Sequence, residues 1–223
     1  MSPSKSDRLS FQPDWRRWLE EIYRDRSLYP FEGGQPIPLY PHEIWVVSRG
    51  VVQLTTLHSS GDEVLLGFVC PSMPFGLPLT NLEPYQAIAL SDADLMRLTV
   101  MEVEQSPQLS KGIVRHLVRR LQQTEALLAL VNHRRVEDRL RQLLRLLQRE
   151  VGQETKEGTR LTVRLTHQHL ANAIGSTRVT VTRALGQLQE EGWLSVDRSR
   201  HIVLHEALPE AAETGLEMGV SGV

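Results

Sequence analysis

The sequence predicts an α+β protein: an N-terminal β-roll, a long connecting helix and a C-terminal helix-turn-helix with a wing. Three patterns support this. Between Tyr29 and Leu98, short apolar runs are divided by Gly, Pro, Asn and Asp, as in a compact antiparallel barrel or roll. From Pro107 to Asn132, apolar residues recur at three- and four-residue intervals, the period of a helix. From Thr166 to Leu194 the chain reads THQHLANAIGSTRVTVTRALGQLQEEGWL, two short helical patterns hinged at Gly175.

Bulk composition leaves room for this layout and excludes others. A chain of 223 residues, 40% of them hydrophobic, can bury a core as one large domain or two medium ones. Its net charge of −2 conceals an asymmetry: residues 134–205 carry 13 Lys and Arg against 8 Asp and Glu, and the remainder 12 against 19. A basic C-terminal part fits nucleic-acid binding, although domains also differ in charge without it. Arginine far outnumbers lysine, and its planar fork suits phosphate and guanine. The one cysteine, Cys70, allows no disulfide framework or cysteine-ligated cluster within the chain. No apolar run approaches the roughly 20 residues that span a bilayer, and the N-terminus lacks the apolar core of a signal peptide. A cytoplasmic protein without a membrane partner is expected.

Five parts follow in order. Residues 1–27 form an N-terminal segment: a polar, Pro/Ser-rich start, then a short amphipathic helix over 15–25 with Trp15, Trp18, Leu19 and Ile22 at helical spacing. Residues 28–100 form the β-roll, with strands expected at 44–47, 51–57, 64–69, 85–90 and 94–98 and a hairpin turn at 59–62. Residues 101–135 hold the long helix, on which Ile113, Leu117, Leu121, Thr124, Leu128 and Val131 fall near an a/d-like seam of about three heptads. Such a stripe either lies on its own domain's core or pairs two copies. Its narrowness favours a homodimer, and so does the need of a helix-turn-helix for two half-sites. Residues 136–206 form the DNA-binding part: an amphipathic helix at 136–151, a polar loop at 151–160, a strand-like run at 161–165, the helix-turn-helix, and two short strands around a basic tip at Arg198-Ser199-Arg200. Residues 207–223 read as a loose tail.

The second helix of the helix-turn-helix carries the chemistry. Val181, Leu185 and Leu188 share its apolar face, and Arg178, Thr182 and Arg183 lie opposite, where guanidinium and hydroxyl groups can read base edges of double-stranded DNA. No GxSxG, HExxH, Walker A or GxGxxG motif occurs, so an enzyme is not expected. His42, His58, His116 and His133 are residue types that hold haem or metal, but lone histidines are more often structural, and no metal or cofactor is expected. His167 and His169 read as phosphate-facing or exposed, and Cys70 as an inert buried thiol. A third reading, a winged helix that contacts protein rather than DNA, disagrees with the two groove-facing arginines.

The order of β-roll, long helix and winged helix-turn-helix over residues 28–205 resembles the CRP/FNR family of bacterial transcription regulators. The motifs that carry the resemblance are LTHQHLANAIGSTRVTVTRALGQLQEEGWL and the wing LSVDRSRHIVL. The recognition segment GSTRVTVTR is most similar to that of the family's cyanobacterial nitrogen-control regulators. The resemblance implies a cyclic-nucleotide-binding-like roll (a double-stranded β-helix), a homodimer, and RNA polymerase as a partner. It implies base contacts from Arg178, Val179, Thr182 and Arg183, with a GTA-type half-site because Val179 stands where cyclic-AMP receptors carry an acid. It implies phosphate contacts from Thr166, Ser176, Thr177, Thr180, Arg198 and Arg200, where the hydroxyls serve equally well as helix caps.

The effector end departs from the family pattern. Cyclic-nucleotide sensors place an acid after the Phe-Gly pair and an arginine shortly after it, but here Leu77 follows Phe75-Gly76 and residues 81–86 contain no arginine. Nitrogen regulators bind 2-oxoglutarate with an arginine near the position of Glu83, and an acid there repels a dicarboxylate. The expected effector site is therefore degraded or atypical and its ligand unknown. The alternative is a sensor of an unidentified small molecule such as 2-oxoglutarate.

Overall fold

The alternating runs of the N-terminal half fold into two antiparallel sheets that share one core. The computed structural model describes residues 26–59, 61 and 63–205. The helix expected over 15–25 and the tail from 207 lie outside these. Strands β1 (Leu28–Phe31), β2 (Glu43–Arg49), β3 (Val52–Leu57), β4 (Glu63–Val69), β5 (Pro74–Phe75), β6 (Gln86–Ala89) and β7 (Ala93–Thr99) pair in the orders β1-β7-β2-β5 and β4-β3-β6. Trp45, Val47, Leu54, Phe68, Phe75 and Leu95 point into the roll. Trp45 packs edge-on against Tyr29 and Phe31, and its indole N–H donates to the Pro38 carbonyl at 2.9 Å. The short strands β1 and β5 were not expected from the sequence, because each contains a proline and is too brief to alternate.

The stretch expected to hold one long helix starts with a separate short one, α1 (Val100–Gln105). Its start is a capping box: the Thr99 hydroxyl accepts from the Glu102 amide, and the Glu102 carboxylate accepts from the Thr99 amide. Helix α2 (Pro107–Val131) follows, with proline in its first turn and Ser106 capping the Leu109 amide at 3.3 Å.

Helix α2 has two apolar faces, which the sequence pattern merged into one. Leu109, Ile113, His116, Gln123, Leu127 and Leu130 are buried against the same chain. Val114, Leu121, Leu128 and Val131 are exposed, with Leu117 half-buried beside them. Ile113 corrects the expected seam: it is 5% exposed and packs with Ile44, Val46, Met96, Leu98 and Leu109. Thr124 is exposed and returns its hydroxyl to the Arg120 carbonyl at 3.0 Å. Burial is the main cause that lowers the His116 pKa to about 4, helped by Arg119 and Arg115, so the imidazole is neutral at pH 7.

The C-terminal half is a second unit around helix α3 (Val136–Val151). Its residues Leu140, Leu143, Leu144 and Leu147 are fully buried in a cluster with Leu170, Ala171 and Ile174 of α4 (His167–Ile174) and Val181 and Leu188 of α5 (Arg178–Glu190). The polar loop expected over 151–160 is instead a hairpin of β8 (Gly152–Thr155) and β9 (Gly158–Leu161). Its charged turn hides the strand period, and the Thr155 hydroxyl closes it on the Gly158 carbonyl at 2.6 Å. The strand-like run 161–165 keeps only Leu161 in β9, because the Thr162 amide and hydroxyl both turn back to the Val151 carbonyl, at 2.9 and 3.0 Å. The wing strands β10 (Leu194–Val196) and β11 (Ile202–Leu204) complete a sheet of order β10-β11-β9-β8.

Two glycines differ in what holds them. Gly50 has φ 85°, and a Cβ there would lie 2.2 Å from the Asp92 carbonyl oxygen. Gly175 has φ 59° with open space around the missing Cβ. Gly175→Ala is expected to cost only the left-handed strain of about 1–2 kcal/mol. Gly50→Ala adds a backbone clash and is expected to cost more, as urea unfolding of the two variants would show.

Candidate nucleic-acid interface

The helix-turn-helix is built from two capped helices and one left-handed turn. The Thr166 hydroxyl accepts from the His169 amide at 3.0 Å and caps α4. Gly175 ends α4 in the left-handed conformation, and the Ser176 amide donates back to the Ala171 carbonyl at 3.0 Å. The Thr177 hydroxyl accepts from the Thr180 amide at 3.2 Å and caps α5. These three positions set the angle at which α5 leaves the turn.

With Val181, Ala184, Leu185 and Leu188 buried, the opposite face of α5 is left to solvent. Arg178, Val179, Thr182 and Arg183 are all exposed, and Val179 retains 79% of its surface. Among the described residues, neither the Arg178 nor the Arg183 guanidinium has a hydrogen-bond or ion-pair partner. Thr182 is committed differently: its hydroxyl donates to the Arg178 carbonyl at 2.9 Å and lies 2.7 Å from Nδ1 of His167 on α4. No local pattern marks this bond between the helices, because only the turn geometry brings positions 167 and 182 together.

The wing places Arg198 and Arg200, both exposed, at the end of the β10–β11 hairpin. Arg200 adopts φ 63°. Asp197 holds this tip in shape. Its carboxylate accepts from Arg160 Nε at 2.6 Å and from the His201 amide at 2.8 Å, and the Arg200 amide donates to its carbonyl at 2.9 Å. The bond from Arg160, with that from the His201 amide, holds the Asp197 carboxyl down to about 2. Burial, then the Arg160 charge, lowers the His201 pKa. Asp197 therefore neutralises Arg160 and leaves the two tip arginines unpaired.

A Crp-like helix-turn-helix domain matches residues 138–208. The global nitrogen regulator of Synechocystis is 33% identical over 190 residues, 81% of this chain and 82% of that protein. The regulatory protein CysR of Synechococcus elongatus is 33% identical over 159 residues, 70% of this chain and 73% of that protein. The chain belongs to the CRP/FNR family of transcription regulators. A CRP/FNR transcriptional regulator from Thermus thermophilus has the same fold, with a TM-score of 0.64, 27% identity and coverage of 82% of this chain and 94% of that one. As in these relatives, the activity is DNA-binding regulation of transcription and not an enzymatic reaction. No described helix is long and apolar enough to cross a membrane, and the described residues hold no cluster of His, Cys, Asp or Glu fit for a metal.

Gly76 leads into a 3₁₀ turn over Leu77–Leu79. An arginine does reach this region, but from α2: Arg120 donates to the Tyr85 hydroxyl at 3.0 Å and to the Pro74 carbonyl at 3.2 Å. The contact with Tyr85 joins residues 35 positions apart, and no local pattern in the sequence marks it. Cys70 is buried beside Glu150, and burial pushes its thiol pKa far up, so it carries no reactive thiolate.

The Asp197 pKa has a direct consequence. A depressed carboxylate stabilises the folded wing fully above its ordinary pKa near 4, and that contribution is lost as pH falls toward 2. Protection of the His201 and Arg200 amides against exchange, taken relative to the intrinsic rate at each pH, is expected to fall across that window. Asp197→Asn should remove this part of the pH dependence and leave a looser wing at pH 7.

Proposed function

We propose that two copies of this chain pair through the exposed face of α2 and read a palindromic DNA site, with one α5 helix in each major-groove half-site. The carrying observation is the groove face of α5, where two arginines without protein partners flank a valine that is 79% exposed. Arg183 and Arg178 offer forks for guanine O6 and N7, and Val179 offers a methyl surface to thymine. Thr182, tied to His167, packs between them. Together these contacts favour a GTA-type half-site, in a site of the form GTA-N8-TAC.

The remaining polar groups position the protein on the backbone. Thr166 uses a lone pair for capping and its hydroxyl keeps a proton to donate to phosphate, while the Thr177 and Thr180 hydroxyls bond each other at 2.9 Å and leave one proton between them for that contact. Ser176 and Thr180 lie beside them at the N-terminus of α5, whose amide groups favour an anion. Arg198 and Arg200 reach the flanking phosphates from the wing. The dimer rests on Leu117, Leu121, Leu128 and Val131, with Thr124 at its edge. Leu121 is 58% exposed and Leu128 65%, an apolar stripe that a second copy covers at a/d spacing. The dimer acts in the cytoplasm on RNA polymerase at promoters.

The family's effector site in the roll is atypical. Leu77 and Glu83 replace polar partners, and Arg120 is already bonded to Tyr85 and Pro74. A phosphate or dicarboxylate there meets an acid and no uncommitted cation, which makes burial of its charge costly.

Two measurements test the proposal. Arg183→Ala is expected to cost about 1–3 kcal/mol of discrimination: in a mobility-shift assay the preference for a GTA-N8-TAC duplex over a scrambled one collapses, while weak, salt-sensitive binding persists. An unchanged preference would remove Arg183 from base reading. Leu121→Asp with Leu128→Asp should convert the protein to a monomer in sedimentation and abolish tight binding to the palindrome. A dimer that survives both charges would show that α2 is not the seam.

A further inference from the structure

Strand β4 of the roll touches both α2 and the first helix of the helix-turn-helix, α4. Near its end, the Phe68 amide donates to Gln123 Oε1 on α2 at 2.9 Å. At its start, Glu63 Oε2 accepts from Asn172 Nδ2 on α4 at 2.8 Å, across 109 positions of sequence. None of the proposed contacts with DNA uses Glu63, and one partly exposed bond of this kind adds little to stability.

The bond is oriented from both sides. A carboxylate only accepts, so Asn172 must turn Nδ2 to Glu63 and Oδ1 away. That Oδ1 accepts from Gln168 Nε2 at 2.6 Å, one turn back on the same face of α4. Burial lowers the His169 pKa and the Glu63 charge partly offsets this, so the carboxylate lies beside two side chains of that face. Glu63 and Asn172 are both half-buried. The series Glu63, Asn172, Gln168 thus runs from the roll along α4 toward Thr166 at its N-terminus.

The position of this bond gives it leverage. The DNA-binding unit is tied to α2 at both ends of α3: by the chain through residues 132–135, and by the Arg119–Glu150 pair at 2.6 Å. Two ties along one helix define an axis and resist rotation about it only weakly. A third tie off that axis fixes the rotation, and Glu63–Asn172 is off it, because α4 packs against the apolar side of α3. Rotation about α3 swings α5. Half-sites of a palindrome lie about one helical turn apart, and one added base pair turns a half-site by roughly 35° and moves it about 3.4 Å. Units held at one rotation tell such spacings apart, and units that rotate do not.

We propose that Glu63 is a positioning residue for DNA recognition: through Asn172 it fixes the rotation of the α4–α5 unit against the roll, and so sets the number of base pairs accepted between half-sites. This rests on the reading that two copies bind a palindrome.

The test is the affinity of the full-length protein for GTA-N7-TAC, GTA-N8-TAC and GTA-N9-TAC duplexes. The ratio between spacings is read within each variant, so a change of net charge, which shifts all three alike, cancels. Glu63→Ala should lower the preference for the favoured spacing about three- to tenfold, the scale of one hydrogen bond. Glu63→Gln keeps an acceptor for Asn172 and should retain most of it. Asn172→Asp sets two carboxylates against each other and should lower it. Glu63→Gln combined with Asn172→Asp rebuilds the bond with donor and acceptor exchanged and should restore it, which a mere loss of fold would not allow. An unchanged or raised preference in Glu63→Ala, or no recovery in the double variant, would overturn the proposal. A second readout needs no DNA. Spin labels on the exposed positions Tyr40→Cys and Ser199→Cys of one chain, in protein diluted with unlabelled chains, should give a narrow distance distribution that broadens with Glu63→Ala; equal widths would also overturn it. A wild-type protein with no preferred spacing would remove the palindrome reading, and the label distances would still decide whether Glu63 fixes the unit.

Discussion

Helix α2 has to serve two apolar surfaces, and a single chain covers only one of them. Its inner face is bound to the roll by packing of Leu109 and Ile113 under β2 and β7 and by two polar ties. One is the Gln123 acceptor on the Phe68 amide, the other the Arg120 donors on Tyr85 and Pro74. These ties fix the rotation of the helix about its axis, because both residues must face the roll. Once that rotation is fixed, Leu121 and Leu128 have to face away. The exposed stripe is therefore a geometric result of how the helix is anchored, and its direction is set by the roll.

The same division of labour holds in the DNA-binding unit. Helix α3 presents Leu140, Leu143, Leu144 and Leu147 to α4 and α5, and its outer side carries Arg141, paired with Glu191 and stacked 5.1 Å over Trp193. Charges that serve structure are matched locally: Arg141 with Glu191, Arg160 with Asp197, Arg119 with Glu150. Arg178 and Arg183 on α5 and Arg198 and Arg200 on the wing are not matched in this way. Exposed ion pairs of this kind contribute at most about 1 kcal/mol each, so the pairing matters more for what it removes from the surface field than for stability.

The sequence was most legible where one short period decides one face. The helix-turn-helix could be read residue by residue because its core positions, the Gly175 turn and the polar face are all local. The wing was legible for the same reason. Legibility failed where the answer depends on distant partners. The β8–β9 hairpin hides behind a polar turn, and β1 is a strand only because β7 pairs with it in register from Leu28 with Met96 to Phe31 with Ala93. On α2, spacing alone could not separate Ile113 from Leu117, since adjacent 3-4 rows differ only in what lies across from them. The Arg120, Gln123 and Asp197 bonds join residues 35 to 55 positions apart, and no local signal marks them.

Val179 shows why the site must be read as a group. A single exposed valine is ordinary on a protein surface, and a β-branched residue in the first turn of a helix is slightly unfavourable. Taken alone, Val179 supports nothing. Its neighbours change this. Arg178 precedes it and Arg183 lies one turn beyond, both without protein partners, while Thr177 beneath them caps the helix and Thr182 is tied to His167. These bonds hold the backbone of the first turns rigid, so the three exposed side chains keep fixed relative positions. Two guanidinium forks with a methyl surface between them match a guanine-containing step that also presents a thymine methyl in the major groove. A solvated surface would require no such arrangement, and a protein partner would more readily use an apolar face than two unpaired arginines. On the proposed reading the specificity resides in the combination, and the caps and the His167–Thr182 bond hold that combination in place.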